Sequence, residues 1–187
     1  MNEGECMKLP TSIENILNEN IVDCERVEFK GNWNPEPILH SICAFANDIN
    51  NWGGGYILVG IEDDNGRPKY PIKGIETASI DKIQKEILAK CKMIRPSYTP
   101  IVDVTQYKGK NIIVIWCYGG QTRPYKCPTT LDKDFSKGYS YYIRTTSSTV
   151  KKLKSKKKYY VRIRTYKTIK GNKIYSSWSK TLKVKTK

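Results

Sequence analysis

The stretch from Val27 to Asp64 decides the fold. It opens with Val27-Glu28-Phe29-Lys30 and continues through Ser41-Ile42-Cys43-Ala44-Phe45-Ala46-Asn47. It closes with Gly53-Gly54-Gly55-Tyr56-Ile57-Leu58-Val59-Gly60-Ile61-Glu62-Asp63-Asp64. The first piece is β-branched and aromatic, as a short strand over Arg26–Lys30 requires. Ile38, Ile42, Phe45, Ala46 and Ile49 recur at helical spacing, so they predict one apolar helix face. Pro35 and Pro37 stand where a helix start tolerates proline. The asparagines and glycines of residues 50–55 supply the positive-φ positions that a helix C-cap uses. Tyr56–Ile61 is almost wholly apolar, as in a strand buried on both faces. A strand–helix–strand unit follows, with charged residues at both ends. It can bring Glu28, Lys30 and Asp63 toward one site.

Outward from this unit the pattern stays mixed. Thr11-Ser12-Ile13-Glu14 is a capping-box pattern that predicts a short helix to about Glu19. Asp64-Asn65-Gly66 predicts a turn, with a short strand near Ile72–Ile75. Ser79 is expected to cap a second long helix carrying Ile80, Ile83, Ile87, Cys91 and Ile94, which Pro96 stops. Ile101–Thr105 and Asn111–Tyr118 flank a hairpin turn at Tyr107–Lys110. Residues 119–137 read as a long polar loop, and Tyr139–Thr145 as a last strand. The predicted class is α+β, a mixed sheet of about five or six strands packed with two main helices.

Charge divides the chain. Residues 151–187 hold 15 of the 33 lysines and arginines and none of the 18 acids, so residues 1–150 are net neutral. This places a boundary near Val150. Residues 1–150 are expected to form one domain. Residues 151–187 are expected to form a lysine-rich β-hairpin, turning at Lys170–Lys173. No apolar run approaches the ~20 residues that span a bilayer. The opening Met-Asn-Glu-Gly-Glu-Cys lacks the charged and apolar regions of a secretory signal. The six cysteines form no C-x-x-C pair, and His40 is the only histidine. A zinc site is not expected, Cys43 and Cys117 read as buried thiols, and the chain reads as cytoplasmic.

Strand alternation places Glu28 and Lys30 on one face. A carboxylate can hold a divalent metal and a lysine can neutralise a phosphate, which is the chemistry of phosphodiester cleavage. Asp63 and Asp23 could be further ligands; the competing reading is an ion pair on a half-exposed strand. The glycine run does not support ATP binding. No Lys-Ser/Thr follows at Walker spacing, and the glycines precede a strand rather than a helix. Arg144 and the hydroxyls after Tyr139 can bind phosphate oxygens. The tail interleaves cations with Tyr159, Tyr160, Tyr166, Tyr175 and Trp178, which suits single-stranded nucleic acid.

Val-Glu-Phe-Lys, Ser-Ile-Cys-Ala-Phe-Ala-Asn, the Gly-Gly-Gly-Tyr-Ile-Leu-Val-Gly-Ile-Glu-Asp-Asp-Asn-Gly run and Tyr-Tyr-Ile-Arg-Thr-Thr-Ser-Ser-Thr together resemble the Schlafen AlbA-like domain. Its bacterial members are labelled DNA-binding or, in older usage, divergent AAA. The resemblance spans about Glu19 to Val150. It implies a nucleic-acid-binding module, DNA or RNA, with a regulatory or targeting role. In Schlafen nucleases it further implies a metal-dependent endoribonuclease site using Mg²⁺ or Mn²⁺. Carried over by position, Glu28 matches the second acid, Lys30 the lysine and Asp63 the later aspartate, with Glu62 or Asp64 as substitutes. Asp23 stands where the first acid is usually glutamate, and Glu25 is an alternative. Metal ligands would then be Asp23, Glu28 and Asp63. A basic patch of Lys30, Arg67, Lys69, Arg123, Lys126 and Arg144 would hold the nucleic acid. A homodimer would supply the second lobe found in Schlafen clefts. The tail resembles the last two strands of a bacterial fibronectin type III domain, so a fused or truncated non-catalytic fragment is a third reading.

Overall fold

A computed structural model describes residues 12–18, 26–133, 135–145, 148–152, 158–161, 165–169 and 172–185. The first helix, α1 (Ile13–Asn18), is capped by Ser12, whose carbonyl accepts Ile16 N–H and whose Oγ accepts Asn15 N–H at 3.2 Å. The cap therefore sits one residue later than the Thr11 pattern predicts.

Strand β1 (Val27–Lys30) pairs in parallel with β2 (Gly55–Val59), and helix α2 (Pro35–Asn47) makes the crossover. β2 runs antiparallel to β6 (Lys110–Cys117), which pairs with β5 (Ile101–Tyr107). The order is β1-β2-β6-β5. Alternation sorts the sheet's side chains into two cores. Ile57, Val59, Ile113, Ile115 and Cys117 face α2 and α3 (Thr77–Cys91). Val27, Phe29, Tyr56, Leu58, Ile112 and Val114 face α1, where Ile13, Ile16 and Leu17 close the layer. The central strands are buried on both faces, which is why Tyr56–Val59 is continuously apolar. Register pairs Glu28 with Ile57, so Glu28 points toward α2.

Five further strands complete the first unit. β3 (Asp63–Asp64) and β4 (Arg67–Pro68) form a small hairpin whose turn residues, Asn65 and Gly66, have φ of 53° and 83°. Two positive φ values are what a two-residue hairpin turn requires. β7 (Lys126–Pro128), β8 (Tyr139–Thr145) and β9 (Ser148–Lys152) form a separate antiparallel sheet in that order.

Several expectations are corrected here. The strands of the first unit form sheets of four, three and two, the largest of them mixed, not one sheet of five or six. The segment expected to be a polar loop contains β7, with Tyr125 and Cys127 buried in the core. Near Ile72–Ile75 only a single bridge forms, from Ile75 to Asn111. α3 starts at Thr77, two residues before Ser79. Ile49 lies past the end of α2 and is 50% exposed. The helix stops because Asp48 turns left-handed, at φ 33°. Its carboxylate then accepts Trp52 N–H and Gly53 N–H at 2.8 and 3.0 Å, which folds the loop back. Gly54 has φ +85° and lies so close to β6 that a Cβ would meet the Cys117 carbonyl. Only glycine suits both conditions.

Cys43, Cys91, Cys117 and Cys127 are buried free thiols. Among the described residues no helix is long and apolar enough to cross a membrane. The chain divides into two compact units, Met1–Lys152 and Leu153–Lys187. In the second unit β10 (Lys158–Val161) pairs with β13 (Leu182–Lys185), and β11 (Tyr166–Ile169) pairs with β12 (Asn172–Tyr175), both antiparallel. These are two separate ladders within residues 158–185.

Candidate nucleic-acid interface

Glu28 and Lys30 do share a face, two residues apart on β1, and their side chains meet: Lys30 Nζ lies 2.7 Å from Glu28 Oε1. The pair is not a half-exposed one. Glu28 is 5% exposed, and Arg144 Nη1, from 116 positions along the chain, lies 2.7 Å from its Oε2. Ser41, on α2, donates to Glu28 Oε1 at 2.9 Å. The Ser41 hydroxyl carries one proton, so Thr149 must donate to Ser41 Oγ at 3.1 Å, while Thr149 accepts from Arg144 Nη1 at 3.2 Å. The result ties β1, α2, β8 and β9 together. The Arg144 guanidinium also sits 5.0 Å from the centroid of the Phe45 ring, a cation–π contact. One carboxylate thus faces two cations, and only Lys30, with its side chain 31% exposed, reaches the surface.

Of the other acids, Glu62 lies against Gly31 at the end of β1. Asp63 is exposed at the β3–β4 hairpin, where Oδ1 accepts Gly66 N–H at 2.8 Å. Asp64, its neighbour, is exposed as well. Glu62 pairs with Lys69 at 3.2 Å and Lys73 at 3.6 Å. The hydrogen bond and charge of Lys69, with Lys73 behind, hold its carboxyl below the usual range. Asp23 and Glu25 lie outside the described residues. Among the described residues no three histidine, cysteine or acidic side chains come together to hold a metal. Both Glu28 oxygens contact cations, so the donors among the described residues do not by themselves make up a divalent-ion site.

The expected basic patch is also dispersed. Arg144 is buried beneath Glu28. Arg123 donates to the Asp48 carbonyl and to Asn51 Oδ1, both at 2.8 Å, and clamps the C-terminal end of α2. A cation is favourable there because it meets the negative end of the helix dipole. Arg67 is exposed on β4, and Lys69 is paired with Glu62. Lys126 belongs to a different surface.

That surface is the outer face of the β7–β8–β9 sheet. β8 alternates: Tyr142 and Arg144 point inward, while Tyr139 and Tyr141 are 39% and 38% exposed. Lys126 is the register partner of Tyr141 on one side and Lys152 on the other. Lys126 Nζ stands 5.8 Å from the Tyr139 ring centroid. Val150, opposite Ile143, is also exposed. The face is held from below. His40 stacks on Tyr142 with centroids 4.1 Å apart, and its Nε2 lies 3.0 Å from the Pro128 carbonyl. Burial holds the His40 pKa down, aided by Lys151 and opposed by the Pro128 bond and Glu36. The imidazole is therefore neutral, with Nε2–H donating. Asn47 completes the support: its amide donates to the Tyr125 and Tyr142 carbonyls at 2.9 and 2.7 Å and accepts Tyr125 N–H at 2.7 Å.

Two features hide the tyrosine face in the sequence. The preceding segment reads as loop, and a boundary at Val150 cuts β9. The alternation Tyr139-Ser140-Tyr141-Tyr142-Ile143-Arg144 is the signal that could have found it, since one face must carry Tyr139 and Tyr141.

Residues 23–170 match the family model described as Schlafen, AlbA_2. No curated protein matches the chain. Among solved structures, DIP2311 of Corynebacterium diphtheriae is similar at 22% identity and a TM-score of 0.45, covering 68% of this chain. The chain spans only 22% of the length of that protein. The N-terminal domain of a RecG-related protein of Nitrosomonas europaea, placed by its name with ATP-dependent DNA helicases, is similar at 25% identity and a TM-score of 0.41. That match covers 57% of this chain and 68% of the domain. The family match runs from before β1 through β11, across the Glu28 cluster and the whole tyrosine sheet, and on it the chain belongs to the Schlafen, AlbA_2 family.

Proposed function

We propose that this chain is a nucleic-acid-binding module that takes a single strand on the outer face of β7–β8–β9. One observation carries the reading: Tyr139 and Tyr141 stand exposed on a rigid strand with Lys126 beside them. Exposed aromatic rings stack on unpaired bases, and adjacent lysines neutralise phosphates. Since residues 1–150 are net neutral, affinity must come from such a local arrangement and not from the overall field. The lysine-rich second unit adds charge that attracts any strand and distinguishes none.

The test is fluorescence anisotropy of the full chain with a labelled strand of ~12 nucleotides, DNA or RNA, across a salt series. Tyr139→Ala with Tyr141→Ala is expected to weaken binding by roughly tenfold or more, since each stacked base contributes ~1–3 kcal/mol. Lys126→Gln is expected to lower the salt slope by about 0.7, the value for one phosphate contact on a single strand. Unchanged affinity in the tyrosine double variant refutes the reading. In that outcome any binding belongs to the lysine-rich unit.

A further inference from the structure

We propose that the tyrosine face runs on past β7 to Arg95, which holds a phosphate of the bound strand, an inference that rests on the strand-binding reading above. The strand then crosses the sheet instead of following β8. Arg95 lies just beyond α3, where the chain makes a single bridge to β7. Arg95 N–H donates to the Lys126 carbonyl, and Lys126 N–H to the Arg95 carbonyl, both at 2.8 Å. Residues opposite one another in an antiparallel pair project to the same face. Lys126 is in turn the partner of Tyr141. Arg95, Lys126 and Tyr141 therefore form one row across the strands, with Arg95 and Tyr141 exposed at its ends. Two inter-strand spacings separate those ends, about 10 Å. At ~3.4 Å per stacked nucleotide, that is about three nucleotides.

The guanidinium is set before a ligand arrives. Its Nη1 donates to the Lys92 and Ile94 carbonyls, just past the end of α3, where the helix dipole favours a cation. Among the described residues its other edge, Nε and Nη2, has no partner. Two adjacent N–H donors on one edge of a planar fork match two oxygens of a phosphate. A group already fixed loses little entropy on binding.

The charge of the row is not taken up elsewhere. Among the described residues neither Arg95 nor Lys126 makes an ion pair. No Asp or Glu occurs in residues 87–102, 119–131 or 135–152. Asp132, in the loop between β7 and β8, is engaged by the Thr130 and Ser136 hydroxyls and by Ser136 N–H. This is the local positive field that strand binding by the net-neutral residues 1–150 requires.

The experiment is the anisotropy salt series of the full chain with the ~12-nucleotide strand. It compares Arg95→Gln, Arg95→Lys and Arg95→Gln combined with Lys126→Gln. Arg95→Gln is expected to lower the salt slope by about 0.7, one phosphate contact, and the double variant by about 1.4. Arg95→Lys keeps the charge and is expected to restore the wild-type slope. Urea midpoints report any loss of the clamp on α3, which both Arg95 variants share. A wild-type slope in Arg95→Gln, or equally lowered slopes in the Gln and Lys variants, makes Arg95 a helix clamp alone and overturns the proposal. If Tyr139→Ala with Tyr141→Ala still weakens binding in that outcome, the tyrosine face stands without Arg95. A slope lowered on a blunt duplex but not on the strand also overturns the proposal. No binding of any strand by the wild type overturns both readings.

Discussion

Replacing Glu28 with glutamine separates the two roles this residue could have. The substitution keeps the side-chain shape and removes the charge. Arg144, 5% exposed at its side chain and 2.7 Å from Glu28 Oε2, then remains as a buried cation without its anion. Breaking one partner of a buried pair costs ~3–5 kcal/mol. Glutamine still accepts a hydrogen bond from Ser41, and Lys30 is exposed enough to turn toward water, so the lower end applies, about 3 kcal/mol. With a urea slope of ~2 kcal/mol per molar, the midpoint falls by about 1.5 M. Urea unfolding of the full chain is followed by tryptophan fluorescence, with the half-buried Trp33 and Trp116 reporting on the first unit. Replacing both partners with apolar residues, Glu28→Leu with Arg144→Met, is expected to restore stability to within about 1 kcal/mol of wild type or above it. A carboxylate in a metal site behaves in the opposite way: without metal, its removal relieves repulsion and leaves stability unchanged or raised. A midpoint shift for Glu28→Gln below ~0.3 M, or a double variant losing the sum of the two single losses, refutes the buried-pair account.

Other outcomes are expected elsewhere. Asn47→Leu removes the partner of the Tyr125 N–H and of the Tyr142 carbonyl and leaves the Tyr125 carbonyl only the Cys43 thiol, at ~1–3 kcal/mol per buried group left unpaired; a total loss under ~1 kcal/mol shows that those groups find other partners. Gly54→Ala forces a methyl into the Cys117 carbonyl and should prevent folding of the first unit, whereas Gly109→Ala, at φ 72° with nothing within 4 Å, should cost only the left-handed strain of ~1–2 kcal/mol. Urea midpoints of the two variants decide this. Burial lowers the His40 pKa below 6.5, so the unfolded chain binds the proton more readily. Stability is then full above pH 6.5 and falls as pH drops through the folded pKa. His40→Gln should flatten that acid-side slope in urea midpoints taken at about pH 7 and 5.5; an unchanged slope shows that groups other than His40 govern it.

Much was legible from local pattern. The content and spacing of the apolar residues predicted β1, α2 and β2, and turn chemistry predicted the turn at Asp64–Gly66 and the β5–β6 hairpin through Lys108-Gly109. The same-face placement of Glu28 and Lys30 followed from strand alternation alone. Each of these is set by neighbours a few residues apart, which a sequence displays directly.

The meaning of those residues was decided elsewhere. Whether Glu28 faces a metal or an arginine depends on Arg144, 116 positions away. Asn47 and Ser41 are buried polar residues of an otherwise apolar helix, and Tyr125, Tyr142 and Glu28 are their partners. Cations that form a patch on paper are divided by folding into a buried pair, a helix clamp, a surface ion pair and a tyrosine face. The physical reason is that a charge or amide has no fixed role of its own. Burial raises the energetic cost of leaving it unpartnered, and which partner satisfies it is determined only when distant strands close around it.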